Sequence, residues 1–159
     1  MPVIVRELSN DAAVIFMVDS NLQRENILPS ERAAAYKMKL EAMKRQGMRT
    51  DLTSDQQGQK SVGKTSREML AAENRDSATQ IQRYIRLTEL QPELMKMVDE
   101  KKIAFTPAVE LSYLKPDEQR MLIDTIESEQ STPSLSQAQR MKKLSQNGEL
   151  DCDKLFSIM

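Results

Sequence analysis

The spacing of apolar residues predicts helices along nearly the whole chain, and residues 76–90 (DSATQIQRYIRLTEL) show it most clearly. The residues at i, i+3, i+4 and i+7 on the apolar stripe of this helix are Ile81, Tyr84, Ile85 and Thr88. The residues with the same spacing on nearly the opposite side are Thr79, Gln82, Arg83 and Arg86. Because a solvated face is usually rich in Glu and Lys, the side-chain amides and guanidiniums at these positions require a separate explanation.

Two longer helices are predicted before this segment. The first has Ser9 or Asn10 as its cap. Its expected buried stripe consists of Val14, Ile15, Val18 and Leu22. The second begins near Pro29 and ends near Gly47, and residues 48–64, which lack periodicity, are predicted to form a loop. Its inner face is expected to contain Tyr36, Leu40 and Met43.

Two capping boxes, TSRE at residues 65–68 and SATQ at residues 77–80, predict helices that extend to residues 74 and 90. Four further helices are predicted over residues 92–102, 106–114, 116–129 and 134–146. The one strand predicted is PVIVRE at residues 2–7. A lone strand leaves its backbone groups unpaired, so we expect its partners in a segment upstream of residue 1 or in another chain.

Composition narrows the classes of function. The 159 residues include 11 Met, one Cys and no Trp or His, and aromatic residues make up 4%. We therefore expect an aliphatic, Met-rich core without internal disulfides. The absence of His excludes Ser-His triads, Cys-His dyads and HExxH zinc sites, so an enzyme is not expected. No apolar stretch is long enough to span a membrane and no signal-peptide pattern is present, which predicts a soluble cytoplasmic protein.

Charge is unevenly distributed although the net charge is only −1. Residues 32–86 contain 12 basic and 6 acidic side chains, whereas residues 87–135 contain 5 basic and 10 acidic ones. A DNA-binding surface needs a local positive field rather than a positive total. The basic block includes the helix with the unusual polar face.

The segment GQKSVGKT at residues 58–65 matches the P-loop pattern G-x-x-x-x-G-K-[ST]. That pattern binds phosphate only where a buried strand delivers the loop and a helix follows it. The preceding residues, RTDLTSDQQ, are too polar to form such a strand. We therefore interpret the match as a polar loop that enters a helix capped by Thr65.

The helices at residues 65–74 and 77–90 have the spacing of a helix-turn-helix, whose second helix enters the DNA major groove with its N-terminus first. Gln can pair with adenine, and Arg with guanine, through two hydrogen bonds each. The residues expected to reach base edges are Ala78, Thr79, Gln80, Gln82 and Arg83. Arg86 is expected to hold phosphate, and backbone N–H groups at the helix N-terminus can bond a phosphate oxygen. The further residues predicted to bind DNA are Thr65, Ser66 and Ser77. The alternative is an ordinary amphipathic hairpin with a solvated face.

The junction between the first two helices, DSNLQRENILPSERAAAY at residues 19–36, has a cluster of polar side chains. The members of this cluster are Asn21, Gln23, Arg24 and Glu25. Such a cluster could bind a phosphate or a metal-bound water, and the alternative is a solvated turn.

Three segments together resemble the ParB/Noc family of DNA-partition proteins. NLQRENILPSERAAAYKMKL is similar to the family's third conserved box, TSREMLAAENRDSATQIQRYIRLTEL to its helix-turn-helix, and LQPELMKMVDEKKIAFTPAVELSYL to its trailing helices. The segments occur in the family's order, and the resemblance extends from residue 2 to about residue 145.

The resemblance implies a homodimer that binds a palindromic, centromere-like site in double-stranded DNA during plasmid or chromosome partition. It also implies a ParA-type ATPase as partner, no membrane, and a nucleoid- or plasmid-associated location. Many members bind CTP and Mg²⁺ in an N-terminal domain, and Asn21 and Arg24 match nucleotide-side positions of the third box. Ser20, however, stands where the family usually has Glu, and two upstream nucleotide motifs are missing. We therefore expect CTP and Mg²⁺ only in a full-length form, and no CTP hydrolysis by this chain.

By this interpretation the chain is the central part of a ParB-like protein. Its expected fold is mainly α, a multi-helix domain with a helix-turn-helix and one strand left from a truncated α/β domain. Residues 1–47 would be the remnant of the nucleotide-binding domain with a connecting helix, 48–64 a flexible loop, 65–147 the DNA-binding domain and 148–159 a C-terminal tail. Two alternatives remain: a CTP-dependent switch clamp in the full-length form, and a helical adaptor that binds protein through the acidic residues 87–135.

Overall fold

A computed structural model describes residues 7–53, 70–72 and 76–159 of the chain. Its helices are α1 (Asn10–Leu22), α2 (Pro29–Thr53), α3 (Ala78–Leu87), α4 (Pro92–Asp99), α5 (Phe105–Leu111), α6 (Pro116–Glu129), α7 (Leu135–Asn147) and α8 (Cys152–Ile158). Residues 70–72 are helical as well, and no strand occurs within the described ranges. The mainly α fold class is confirmed. The strand predicted at residues 2–7 lies outside the described residues except for Glu7.

Helices begin where capping residues and prolines predict them. Ser9 is the N-cap of α1, and its hydroxyl accepts the N–H three residues further on at 3.3 Å. Ser134 and Gln137 form a reciprocal capping box at the start of α7. Pro92 and Pro116 occupy the first turns of α4 and α6, where a missing N–H leaves no hydrogen bond unmade.

Helix α2 extends further than the sequence predicts. An end near Gly47 and a loop over residues 48–64 are predicted, but the helix continues to Thr53. A glycine inside a helix costs only about 1 kcal/mol, and the residues that follow it, MRTDLT, include no proline that would stop the helix. Residues 54–64 of the predicted loop lie outside the described residues.

Three helices end earlier than predicted because turns follow them. Helix α4 ends at Asp99 rather than residue 102, since Lys101 has a φ of 60° and the next two N–H groups both donate to the carbonyl oxygen of Met97. Helix α3 ends at Leu87 rather than residue 90, and three successive i to i−3 hydrogen bonds form the turn after it. Helix α5 ends at Leu111 rather than residue 114.

The chain divides into two compact units, and the boundary between them falls within α3. The first unit comprises Met1–Ile27 and Ala34–Gln82, and the second comprises Leu28–Ala33 and Arg83–Met159. The start of α2 thus belongs to the same unit as the helices that follow α3.

Buried positions of the first unit combine apolar side chains with paired charges. Its buried apolar residues are Val18, Tyr36, Leu40, Ala42, Leu70 and Ile81. The members of the predicted stripes that are only half-buried are Val14, Ile15, Leu22 and Met43. The Lys39 side chain is 1% exposed, and its ammonium lies 2.6 Å from a carboxylate oxygen of Asp19. The hydroxyl of Tyr36 donates to Asp76 at 2.6 Å.

The second unit has an aliphatic core. Its largest fully buried apolar residues are Leu87, Leu94, Ile103, Leu111, Leu122, Met141 and Leu155. Residues 148–159, predicted as a tail, contribute to this core. The contributing side chains are Leu150, Leu155 and Ile158. The buried amide of Gln119 accepts the N–H of Gln91 at 2.8 Å and donates to the carbonyl oxygens of Glu89 and Leu114, so both ends of this amide are hydrogen-bonded.

Candidate nucleic-acid interface

Helix α3 contains most of the residues predicted to contact DNA. Ser77 precedes the helix and accepts at both of its oxygens: its hydroxyl from the N–H of Gln80 at 3.2 Å and its carbonyl from the N–H of Ile81 at 2.9 Å. No acidic residue occupies the first turn. The positive end of the helix dipole is therefore not offset by a carboxylate within that turn.

The apolar stripe predicted for α3 is fully buried at one residue and half-buried at the others. Ile81 and Leu87 have no exposed surface. The remaining members of the predicted stripe, all half-buried, are Tyr84, Ile85 and Thr88. Leu87 was not part of the predicted stripe, and at 3.6 residues per turn it lies about 120° around the helix from Ile81. Tyr84 packs against Phe105 of α5, with ring centroids 4.7 Å apart.

The exposed side chains at the start of α3 are Ser77, Thr79 and Gln82, and those of Ala78 and Gln80 are half-buried. Thr79 and Gln82 are three residues apart and therefore neighbours on the helix surface. They offer a hydroxyl and an amide, which can both donate and accept hydrogen bonds. These are groups that read base edges in the major groove.

Arg83, predicted to reach a base edge, directs one guanidinium N–H group to α5. Its Nη2 donates to Oγ1 of Thr106 at 3.1 Å. The carbon atom of the guanidinium lies 5.1 Å from the centre of the Phe105 ring, a distance at which the ring quadrupole attracts a cation. The side chain is half-buried, so Arg83 takes part in packing as well as providing charge.

Arg86, predicted to bind phosphate, contacts the other end of α5. Its Nη2 donates to the carbonyl oxygen of Ser112 at 2.8 Å, and its guanidinium carbon lies 4.3 Å from the centre of the Tyr113 ring. Its Nε is buried and has no hydrogen-bond partner among the described residues. Since Ser112 is the C-cap of α5, the cation is placed at the favourable end of that helix.

A second cation contacts Tyr113. Nζ of Lys142, on α7, lies 3.8 Å from the centre of the ring and 2.8 Å from a carboxylate oxygen of Glu110 on α5. Tyr113 is 40% exposed. None of these α5 and α7 residues was among the site residues predicted from the sequence. The available signal was the scarcity of aromatic side chains, since the chain has only 3 Tyr and 3 Phe and two of the six lie beside arginines of α3.

Asn21 and Arg24, matched by resemblance to a nucleotide-binding box, lie at the end of α1. Both side chains are exposed, and the carbonyl oxygen of Asn21 accepts the N–H of Arg24 at 3.2 Å. The hydroxyl of Ser20 donates to the carbonyl oxygen of Phe16 at 3.0 Å. Within the described ranges, no group of three or more His, Cys, Asp or Glu side chains could hold a metal ion. The side chains of Asn21 and Arg24 therefore face solvent at a helix end.

Most of the first helix predicted for the helix-turn-helix lies outside the described residues, including Thr65 and Ser66. Its described part, residues 70–72, is helical, and Leu70 is fully buried. The second helix of the predicted motif, α3, is therefore the part of the motif whose side-chain contacts are described.

Comparison with known proteins gives no family assignment. No protein-family model matches the chain, and a search of curated proteins found no match. None of the helices in the described parts of the chain is long and apolar enough to cross a membrane. Function is therefore inferred from α3, its contacts and the resemblance of the sequence motifs.

Proposed function

We propose that this chain is a sequence-specific DNA-binding protein of the ParB type, which binds a palindromic, centromere-like site through α3. The observation that carries the proposal is the division of α3 into two faces: Ile81 of the apolar stripe is fully buried, whereas Thr79 and Gln82 on the polar side are exposed. A helix anchored on one side and polar on the other is suited to the major groove. The motif resemblance of the sequence points to the same class.

Gln82 is the residue that we assign to base recognition, because its amide can bond both N6 and N7 of adenine. Thr79, almost one turn earlier, offers a hydroxyl to a base edge and a methyl group to thymine. The start of α3 after Ser77 supplies backbone N–H groups that can bond a phosphate oxygen. This set of contacts combines base reading with orientation on the duplex.

Local charge supports DNA as the partner. Residues 32–86 contain 12 basic and 6 acidic side chains, and α3 itself contains Arg83 and Arg86 but no acidic residue. Cations near phosphates release counterions from DNA, and the resulting affinity falls as salt is added. We therefore expect a salt-dependent component of binding on any duplex.

The proposal includes a homodimer, because a palindrome presents two equivalent half-sites. It also includes a ParA-type ATPase as the partner in plasmid or mobile-element partition, at a nucleoid- or plasmid-associated location. Ser20, in place of the usual Glu, argues against nucleotide hydrolysis by this chain, and no catalytic residue is proposed.

Fluorescence anisotropy tests the proposal. The probe is a duplex that the wild-type protein selects from a library with a random central sequence, and the comparison probe is the same duplex with its sequence scrambled. Gln82→Ala should weaken binding to the selected duplex by about 1–3 kcal/mol and leave binding to the scrambled duplex unchanged. Gln139→Ala removes an exposed glutamine of α7 and should bind both duplexes like the wild type.

Four outcomes would contradict all or part of the proposal. If selection enriches no sequence, or if both duplexes bind equally and lose affinity together as salt rises, the chain is not a specific reader. If neither duplex binds even at low salt, the helical adaptor with residues 87–135 as its surface is favoured. Tight binding of CTP in a calorimeter would favour the nucleotide-dependent switch.

A further inference from the structure

We propose that Arg83 and Arg86 are positioning residues, which fasten the second half of α3 to the two ends of α5. The inference rests on the proposed DNA-binding function. The two arginines thus have a role other than the base and phosphate contacts predicted from the sequence. Tyr113, at the end of α5, is the further residue on which this attachment of α3 to α5, the fastening, depends.

The two arginines make the same pair of contacts at opposite ends of α5. Arg83 donates to the hydroxyl of Thr106 at 3.1 Å, and its guanidinium lies over the ring of the first residue of α5. Arg86 donates to the C-cap carbonyl of Ser112 at 2.8 Å, and its guanidinium lies over the ring of Tyr113. Because residues three apart project from the same side of a helix, this pair of contacts fixes both the position and the direction of that part of α3.

The orientation of the Arg86 guanidinium supports attachment to the protein rather than to a ligand. A guanidinium is planar, so one directed N–H group together with one aromatic face determines its plane. Arginines often hold phosphate or carboxylate through two parallel N–H groups. In Arg86 one Nη2 hydrogen bond goes to a backbone carbonyl, and Nε is buried without a partner among the described residues.

Tyr113 extends the fastening to α7. Nζ of Lys142 lies 3.8 Å from the centre of the same ring, and its charge is paired with Glu110 of α5 at 2.8 Å. The ring therefore attracts one cation from α3 and one from α7. Cation–π attraction depends on the ring face and not on the hydroxyl, so phenylalanine should serve in place of tyrosine.

The consequence concerns specificity more than affinity. Helix α3 is continuous from Ala78 to Leu87, so a hold on its second half also fixes the direction in which Thr79 and Gln82 project. Base reading requires this geometry, whereas attraction to phosphates depends on charge. A loosened α3 should therefore keep its non-specific binding and lose its preference for the selected duplex.

Two substitutions at Tyr113 test the role without changing charge. Anisotropy is measured on the selected and scrambled duplexes at two salt concentrations. Tyr113→Leu should lower the preference for the selected duplex about fivefold to tenfold and leave the scrambled duplex and the salt slope unchanged. Tyr113→Phe should retain the wild-type preference. Phe156→Leu, at an exposed aromatic of α8, is the control and should also retain it.

Arg86→Ala and the double variant with Tyr113→Leu complete a cycle. If the two residues act as one fastening, the double variant loses no more preference than Arg86→Ala alone. The inference is overturned if Tyr113→Leu keeps the full preference while Arg86→Ala weakens both duplexes equally and lowers the salt slope by about one, because those are the effects of a phosphate contact. Arg86→Lys, which keeps the charge but lacks the fork, replaces Arg86→Ala if that variant does not fold.

A measurement without DNA separates this inference from the proposed function. Urea unfolding of the wild type, both single variants and the double variant gives the coupling between Arg86 and Tyr113, with Arg120→Ala as an exposed-arginine control. If Arg86 and Tyr113 are coupled in urea unfolding but the protein prefers no duplex, the DNA-binding function is overturned and the fastening is retained. Additive effects of the two substitutions would overturn the fastening whatever the DNA result.

Discussion

The apolar cluster found among the described residues lies in the second unit, whereas the first unit buries charged groups between its helices. In the second unit, α4 to α8 pack through fully buried side chains such as Leu94 and Leu122. In the first unit, the nearly inaccessible Lys39 pairs with Asp19. Removing an ammonium from water costs several kcal/mol unless its partner is well placed. One unit thus depends mainly on buried apolar area, and the other also depends on the geometry of a charge pair.

This difference determines which substitutions each unit should tolerate. An aliphatic core accepts replacements that conserve volume but is destabilised by cavities. At a buried charge pair, replacing the buried ion by an apolar side chain of similar size should cost less than leaving that ion without its partner. The contrast can be measured by comparing substitutions of the two kinds in one protein.

The largest effect is expected from Leu122→Ala in the second unit. Leu122 is fully buried on α6, and its truncation should leave a cavity that lowers the free energy of unfolding by about 2–5 kcal/mol. Urea unfolding followed by circular dichroism measures this change. Leu135→Ala on α7, where the leucine is 39% exposed, should change it much less. If Leu122→Ala lowered the free energy of unfolding no more than Leu135→Ala, the location of the core would be contradicted.

An intermediate effect is expected from Asp19→Ala in the first unit. This change removes the carboxylate 2.6 Å from the buried ammonium of Lys39, and the free energy of unfolding should fall by about 1–3 kcal/mol. Asp124→Ala, at an exposed aspartate of α6, should have little effect. Lys39→Met should cost less than Asp19→Ala, because Asp19 is 37% exposed and can be solvated. If Lys39→Met lowered the free energy of unfolding more than Asp19→Ala, the charge pair would be a net source of stability.

Helix positions were predictable from the sequence where a residue with a strong backbone preference marks the start. The prediction of residues 116–129 matches Pro116–Glu129 of α6, and that of residues 134–146 is within one residue of α7. Helix ends were less predictable. The end of α4 depends on the left-handed backbone of Lys101, and α2 continues through Gly47. Neither feature has a clear signal in the sequence, because lysine seldom adopts a left-handed backbone and a glycine inside a helix costs only about 1 kcal/mol.

The polar stripe of α3 was also identified from the sequence, but the contacts of its arginines were not. Helical spacing places Arg83 and Arg86 on the side opposite to Ile81, and a long side chain in such a position can turn towards solvent or towards a neighbouring helix. Their hydrogen-bond partners, Thr106 and Ser112, are 23 and 26 residues further along the chain. Contacts at that separation are set by tertiary packing, which the periodicity of one helix does not contain.

The smallest effect is expected at an exposed charge pair of the second unit, which contrasts with the buried pair of the first. Glu100 follows α4, and its carboxylate lies 2.7 Å from Nζ of Lys102. The hydrogen bond from Lys102, with the attraction of its charge, holds the pKa of Glu100 below its ordinary value. Because this pKa is lower in the folded chain than in the unfolded chain, the pair stabilises the fold above the unfolded-state pKa. That contribution is lost as pH falls through the folded-state pKa.

Glu100→Gln should therefore lower the thermal midpoint slightly near neutral pH and have no effect at a pH below the folded-state pKa of Glu100. Added salt should reduce the difference at neutral pH, since ions screen an exposed pair. Thermal unfolding at several pH values and two salt concentrations measures both trends, with Glu127→Gln at an exposed position of α6 as the control. A difference that persists at acid pH and high salt would mean that Glu100 acts through its shape or backbone rather than its charge. In that case the salt dependence of stability would not distinguish the exposed Glu100–Lys102 pair from the buried Lys39–Asp19 pair.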